Sequence, residues 1–199
     1  MADPGHVDTF NRIAPRYDAK FGKDCETAHT VVLDWAAQAG LEPRSVLDVG
    51  CGTGKLLEEA GRRWPQARLY GVDPADRMVE IARGRLPGAE LTVGRAERLP
   101  PADASVDLVV STTAFGHWSD APAGLREIRR ILRPGGSVMI AEHAPPGVLL
   151  RLLLKAMGRL PRLYDVDGMR TLVADAGLTP ERLETVPGTF VVTHATRNG

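Results

Sequence analysis

The stretch Val46-Leu47-Asp48-Val49-Gly50-Cys51-Gly52-Thr53-Gly54-Lys55 decides the fold. A short apolar run, Ser45 to Val49, stops at a glycine cluster, and a segment of helical spacing follows it, with Leu56, Leu57, Ala60 and Trp64 on one face. Glycines at the end of a buried strand let the backbone approach a ligand and place it at the N-terminus of the next helix. The spacing is G-x-G-x-G, not the G-x-G-x-x-G of dinucleotide loops, whose length suits a pyrophosphate at the helix dipole. Asp48 points the same way, because a carboxylate at the strand end repels phosphates. It is suited to pairing with a cationic group of a ligand, or to orienting the loop.

The same rhythm continues outward. Arg68 to Val72, Glu90 to Val93, Val106 to Ser111 and Ser137 to Ala141 are further short apolar runs. Helical spacing separates them: Met78, Val79, Ala82 and Leu86, then Pro122 in a first turn followed by Leu125, Ile128 and Leu132. Leu-Pro-Gly at 86–88 and Arg-Pro-Gly-Gly at 133–136 punctuate the helix ends. Such alternation predicts an α/β fold, a parallel sheet doubly wound with helices on both faces. A further helix, with Val31, Val32, Trp35, Ala36 and Ala39 on its apolar face, precedes the first strand and closes at Gly40. Near the end, a helix from about Gly168 to Ala176 leads to two strands, Glu181–Val186 and Thr189–Ala195, that flank the turn Pro187-Gly188. No composition break divides the chain, so residues 1–199 are expected to form a single domain.

Composition narrows the function. The chain has 199 residues with 25 basic and 25 acidic side chains, a formal net charge of zero. That balance argues against nucleic acid and against an anionic lipid surface, both of which call for a basic excess. Two cysteines exclude a disulfide framework and a four-cysteine zinc site. The start, MADPGHVDTFN, has no apolar signal core, and Pro145 to Leu160 is interrupted by Arg151, Lys155 and Arg159, a poor membrane span. A cytoplasmic protein without stable membrane insertion is expected. Neither H-x-x-x-H nor C-x-x-C spacing occurs, so no metal site is expected.

A second motif, Tyr70-Gly71-Val72-Asp73-Pro74, closes the second strand. Asp73 has two readings: a carboxylate accepting from both ribose hydroxyls of a bound nucleoside, or a helix N-cap with Pro74 at the first helical position. Beside the glycine loop, the ribose role is preferred.

Taken together, these motifs resemble the class I S-adenosylmethionine-dependent methyltransferases of the small-molecule type, the branch of the ubiquinone and menaquinone-biosynthesis methyltransferases. VLDVGCGTG is similar to the family's cofactor loop, YGVDPADRMVEIAR to its ribose motif, and ILRPGGSVMIAE to its fifth-strand motif. GRAERLPPADASVDLVVSTTAFGHW resembles its adenine-side turn and fourth strand, and Phe10 to Asp18 its cofactor-covering segment. The resemblance implies a Rossmann-like sheet of seven strands, mostly parallel, with an antiparallel C-terminal hairpin. It divides the chain into a covering and helical segment (1–40), a cofactor-binding core (45–142) and a substrate-side remainder (143–199).

It further implies S-adenosylmethionine as methyl donor and S-adenosylhomocysteine as product. Gly50, Cys51 and Gly52 would lie against the methionine part, Asp48 would contact or orient its amino group, and Asp73, followed by Pro74, would hold the ribose. Met78 would pack on the adenine, with Ala96 and Glu97 presenting the adjoining turn. Thr112 and Thr113 would line the methionine side and the pocket mouth, and Tyr17 would close over the polar end. One departure stands out: Arg95 occupies the position where the family usually has an acidic residue facing the adenine amine, and a guanidinium cannot accept a hydrogen bond.

His117, in Phe115-Gly116-His117-Trp118 just beyond the fourth strand, is the candidate base for an acceptor that must lose a proton; packing of the loop is the competing role. His143 after the fifth strand is a second candidate. Cys51 is expected to pack rather than react, and Cys25 to be a half-buried helix residue. The apolar segment Val148 to Leu160 reads as a lid over a partly apolar small-molecule acceptor, as an interface of a homodimer, or as an amphipathic helix on the sheet of a monomer. Two other functions share part of this pattern: a non-catalytic S-adenosylmethionine-binding sensor or partner subunit, and a nicotinamide-dependent oxidoreductase, against which the short loop and Asp48 count.

Overall fold

The computed structural model describes residues 4–147, 163–186 and 190–199. Helices α1 (Pro4–Ile13) and α2 (Tyr17–Gln38), joined by a 3-10 turn at Ala14–Arg16, precede strand β1 (Ser45–Val49). The alternation that follows is α3 (Lys55–Arg63), β2 (Arg68–Asp73), α4 (Asp76–Arg85), β3 (Glu90–Val93), β4 (Val106–Thr112), α5 (Ala121–Ile131) and β5 (Leu132–His143). Helix α6 (Val166–Asp175) and strands β6 (Thr179–Val186) and β7 (Phe190–Thr196) complete it. The seven strands form one sheet in the order β3-β2-β1-β4-β5-β7-β6. All pairings among the first five strands are parallel, whereas β7 runs antiparallel to both β5 and β6. The expected doubly wound sheet with an antiparallel C-terminal hairpin is thus observed.

Strand parity sorts the core into two layers. Leu47, Val49, Val109, Val138 and Ile140 meet α5 and α6 through Leu125, Ile128, Met169 and Val173. Val46, Leu108, Val110, Met139 and Ala141 meet α2, α3 and α4 through Ala28, Val32, Leu57 and Val79. Because successive side chains alternate faces, Asp48 falls on the side of Val46, beneath α2, and the parallel register Asp48↔Gly71 puts Asp73 on that side as well. The order reverses between β1 and β4, with β2 on the other flank of β1; such a switch point opens a crevice at the strands' carboxyl ends.

Several elements differ from the sequence reading. The helix before β1 starts at Tyr17, well ahead of the apolar stripe that announced it, and α1 is a separate helix. Arg-Pro-Gly-Gly does not merely end α5. Val106 pairs with Leu132 and Leu108 with Ser137, so residues 133–136 form an irregularity inside β5. Gly135 there has φ of 78° and donates its N–H to the Arg197 carbonyl. The N-cap reading of Asp73 fails: α4 starts at Asp76 and has Ala75 at its N-cap. The apolar segment 148–160 and the turn at Pro187-Gly188 lie outside the described residues. No helix among the described residues is long and apolar enough to cross a membrane, and these residues hold no cluster of potential metal ligands.

Candidate active site

At the carboxyl end of β1 the chain turns through Gly50 (φ 84°), Gly52 (51°) and Gly54 (82°), left-handed values that favour glycine. At Gly50 there is no room for a side chain either, since a Cβ would stand 2.3 Å from that of Ala114. The loop is fastened to β2 from behind: the N–H groups of Gly50 and Cys51 both donate to the Val72 carbonyl, at 2.7 and 3.1 Å. Asp73 fastens it from the side. Its Oδ2 accepts the Gly52 N–H at 2.9 Å and its Oδ1 the Ala75 N–H at 2.8 Å. Burial nevertheless raises the Asp73 carboxyl above its ordinary range, these two bonds opposing the shift. Each oxygen keeps a second lone pair, the capacity a vicinal diol requires.

Asp48 is more deeply buried, at 2% exposure, and its Oδ1 has no hydrogen-bond partner among the described residues. Burial first, and the neighbouring Asp73 second, push its carboxyl well above the usual range. An unpartnered buried carboxylate beside a second acid is costly, and an ammonium group resolves both problems. An amino-acid ammonium at Asp48 and a ribose at Asp73, spanned by the glycine loop, are the recognition elements that S-adenosylmethionine needs, so the residues present fit that group.

The cleft encloses about 390 Å³ with its open mouth included, and is lined by Tyr17, Asp18, Gly22, Cys25, His29, Asp48, Gly50, Cys51, Gly52, Thr53, Lys55, Leu56, Thr112 and Thr113. Seven residues expected at the cofactor from the sequence therefore meet here: Tyr17, Asp48, Gly50, Cys51, Gly52, Thr112 and Thr113. Thr113 has the left-handed φ of 51°, and its N–H donates to the Ala141 carbonyl. The Tyr17 hydroxyl stands 3.8 Å from Cys25 Sγ, which is 4.0 Å from Thr113 Oγ1. Burial holds the Tyr17 phenol above its ordinary range, with Cys25 and Asp73 adding to the shift. Cys25 is buried rather than half-buried.

Pro74, Met78, Ala96 and Glu97, also expected at the cofactor from the sequence, are not among the residues lining this cleft. Met78 is buried with Ala14 and Ala75, against Val7, Phe10, Tyr17 and Ile81. Ala96 belongs to the layer that contains Trp118, Pro74 is exposed, and Glu97 Oε1 accepts the Asp120 N–H at 2.9 Å. His117 ends the 3-10 turn Phe115–His117, exposed, with its ring edge-on to Phe10 at 5.5 Å. His143 packs on Phe190 at 4.9 Å.

Three charged groups were not anticipated. Glu142 is buried at 4% exposure and accepts the N–H groups of Gly116 and His143, both at 2.8 Å; burial raises its carboxyl above the usual range despite these bonds. Asp18 and Arg85 form a cluster with Thr53, described below. The signal for the α2 wall was present in the spacing: Asp18, Gly22, Cys25 and His29 follow at intervals of four, three and four, one face of a helix.

Residues 46–136 match the family described as "Methyltransferase domain". The chain is 34% identical over 168 residues to the demethylmenaquinone methyltransferase of Deinococcus radiodurans, covering 77% of this chain and 68% of that protein. It is 36% identical over 142 residues to the enzyme of the same name from Thermotoga maritima, covering 69% and 61%. It therefore spans about two thirds of the length of these relatives. Its fold matches that of the methyltransferase in a complex with the Haloferax volcanii Trm112 activator, with a TM-score of 0.81 at 24% identity over 96% of this chain and 98% of that one. The cofactor loop, the strand order and the sequence relatives agree, and the chain belongs to the class I S-adenosylmethionine-dependent methyltransferases, on the branch that includes the demethylmenaquinone methyltransferases.

Proposed function

We propose that the protein transfers the methyl group of S-adenosylmethionine to a small, partly apolar acceptor entering over the ends of β4 and β5. The observation that carries this reading is Asp48, a buried carboxylate with an unpartnered oxygen at the floor of the glycine-loop cleft. When bound, the cofactor supplies an electrophilic methyl on a sulfonium. The chain's own part is placement. Asp48 holds the ammonium, Gly50 to Gly52 give backbone contact, and Asp73 holds the ribose. Pro74, Met78, Ala96 and Glu97 form the adenine side, and Thr112 and Thr113 face the methionine side. Alignment for in-line displacement supplies much of the rate of such transfers.

His117 is the proposed base for an acceptor that loses a proton. Its turn follows Thr113 after one residue, Ala114, and is pinned by Glu142. The reading places the protein in the cytoplasm, as a monomer or homodimer acting on a small molecule rather than on nucleic acid.

Thermal melts with S-adenosylmethionine, S-adenosylhomocysteine and NAD test the cofactor, because stabilisation follows the ratio of free ligand to Kd. Both sulfur ligands are expected to raise Tm. A rise with NAD alone overturns the reading. Transfer of a radiolabelled methyl to demethylmenaquinone, the acceptor in the relatives' name, then tests the acceptor class. With any acceptor so found, His117→Ala is expected to cut turnover about 100-fold or more, and full turnover removes the base.

A further inference from the structure

Tyr17 and Asp18 are consecutive in the first turn of α2, yet they serve opposite walls of the cleft. Tyr17 reaches toward Cys25 on α2, next to Thr113 beyond β4. Asp18 reaches the glycine loop instead. Its Oδ1 accepts the Thr53 hydroxyl at 2.6 Å, and its Oδ2 accepts Arg85 Nη2 at 2.6 Å. Arg85, in the last turn of α4, completes the triangle by donating Nη1 to the Thr53 carbonyl at 2.6 Å and to the Thr53 hydroxyl at 3.1 Å. The Asp18 and Arg85 side chains are 29% and 21% exposed, so the ion pair is largely shielded. Burial works against ionisation of Asp18, but the Thr53 hydroxyl and Arg85 outweigh it and hold its carboxyl below the ordinary range.

The segment leading into α2 is tied down at its other end as well. Asn11 Oδ1 accepts the Arg77 N–H at the start of α4, and Phe10 meets His117. Residues 10–18 thus form a strap from the strand-four turn, across the start of α4, to the glycine loop. Its end, Tyr17 and Asp18, lines the cleft together with Asp48 and the glycine loop, and Asp73 is near enough to act on the Tyr17 phenol.

We propose that Arg85, acting through Asp18 and Thr53, is a positioning residue that latches this strap over the cofactor and sets how slowly the cofactor leaves. The proposal rests on the reading that the cleft holds S-adenosylmethionine. Arg85 lies behind the loop and outside the residues lining the cleft, so its effect is on escape rather than on contact. An ion pair is screened by salt even when partly shielded, which gives the latch a signature that ordinary packing lacks.

The test is stopped-flow measurement of S-adenosylhomocysteine association and dissociation for the parent, Arg85→Ala, Arg85→Lys, Asp18→Asn and the Asp18→Asn/Arg85→Ala double variant, with unliganded melts recorded alongside. Losing the charge-assisted bonds is expected to speed dissociation about tenfold in Arg85→Ala and Asp18→Asn, with association changed less than about twofold. Arg85→Lys is expected to recover most of the retention. The double variant is expected to fall well short of the product of the two single effects, because both substitutions remove the same Asp18–Arg85 pair. Raising salt is expected to speed release from the parent more steeply than from Arg85→Ala.

Should Arg85→Ala fail to fold, Asp18→Asn carries the same comparison. Unchanged dissociation in the variants, salt-insensitive release from the parent, or multiplying effects in the double variant overturn the latch while leaving the cofactor reading intact. A parent that binds no S-adenosylhomocysteine removes both.

Discussion

Asp73 Oδ2 accepts the backbone N–H of Gly52 at 2.9 Å, so the end of β2 holds the glycine loop at the position where the loop turns left-handed. The carboxylate is therefore a loop clamp, and on the proposed reading the same group is the ribose acceptor. The Ala75 bond on its other oxygen fixes the side chain's orientation, leaving little freedom to be lost when a ligand arrives.

Asp73→Ala removes the clamp together with the proposed ribose acceptor. S-adenosylhomocysteine affinity is expected to fall about 10- to 100-fold, the range for bonds to a charged group. Asp73→Asn keeps one acceptor oxygen and is expected to fall between Ala and the parent. Isothermal calorimetry checks this, and parent-like affinity in Asp73→Ala removes the ribose assignment.

Gly50→Ala faces two separate penalties, the 2.3 Å approach to Ala114 Cβ and the positive φ. Pairing it with Ala114→Gly relieves the first only. Urea melts are expected to show the single variant clearly destabilised and the double variant still about 1–2 kcal/mol below Ala114→Gly alone. Full recovery shows that steric contact is the whole cost.

What could be read in advance follows from which signals are local. Ser45–Val49 and Glu90–Val93 were bounded to the residue, because apolar runs that stop at turn residues report burial directly. The first half of α2 escaped, since its inward face of Asp18, Gly22, Cys25 and His29 lines a cleft and carries no apolar stripe. Arg133 to Gly136 resembles a helix stop, and its flanking pairs with β4 and its bonds to Arg197 show that it belongs to β5. Glu142 and the Arg85 latch were invisible for a related reason. Their partners are backbone or side-chain groups far along the chain, which no spacing rule brings together.

Glu142 illustrates what such a distant bond controls. Glu142→Ala leaves the half-buried Gly116 N–H without its acceptor, a loss of about 1 kcal/mol, the low end for an unmet donor. Hydrogen exchange is expected to quicken at Gly116, with S-adenosylhomocysteine affinity within about twofold of the parent. Unchanged protection at Gly116 shows that the carboxylate does not hold the turn.

Asp48 makes the site sensitive to pH in a direction that can be worked out. Its folded carboxyl is raised by burial and by Asp73, so the folded chain keeps a proton that the unfolded chain releases near its ordinary value of about 4. Stability of the unliganded protein must then fall as pH rises from about 4 through the folded value, and level off above it. Asp48→Asn removes this contribution, leaving a shallower slope from Asp73 and Glu142, which burial raises as well. At neutral pH, unliganded Asp48→Asn is expected to melt at or above the parent's Tm. Ligand binding carries the opposite sign, because an ammonium favours ionised Asp48: parent affinity for S-adenosylhomocysteine is expected to rise with pH across this window, while Asp48→Asn binds weakly at every pH. Melts and calorimetry between pH 5 and 8 on both proteins check the pair of slopes, and a variant as tight and as pH-dependent as the parent shows that the ammonium does not bind at Asp48.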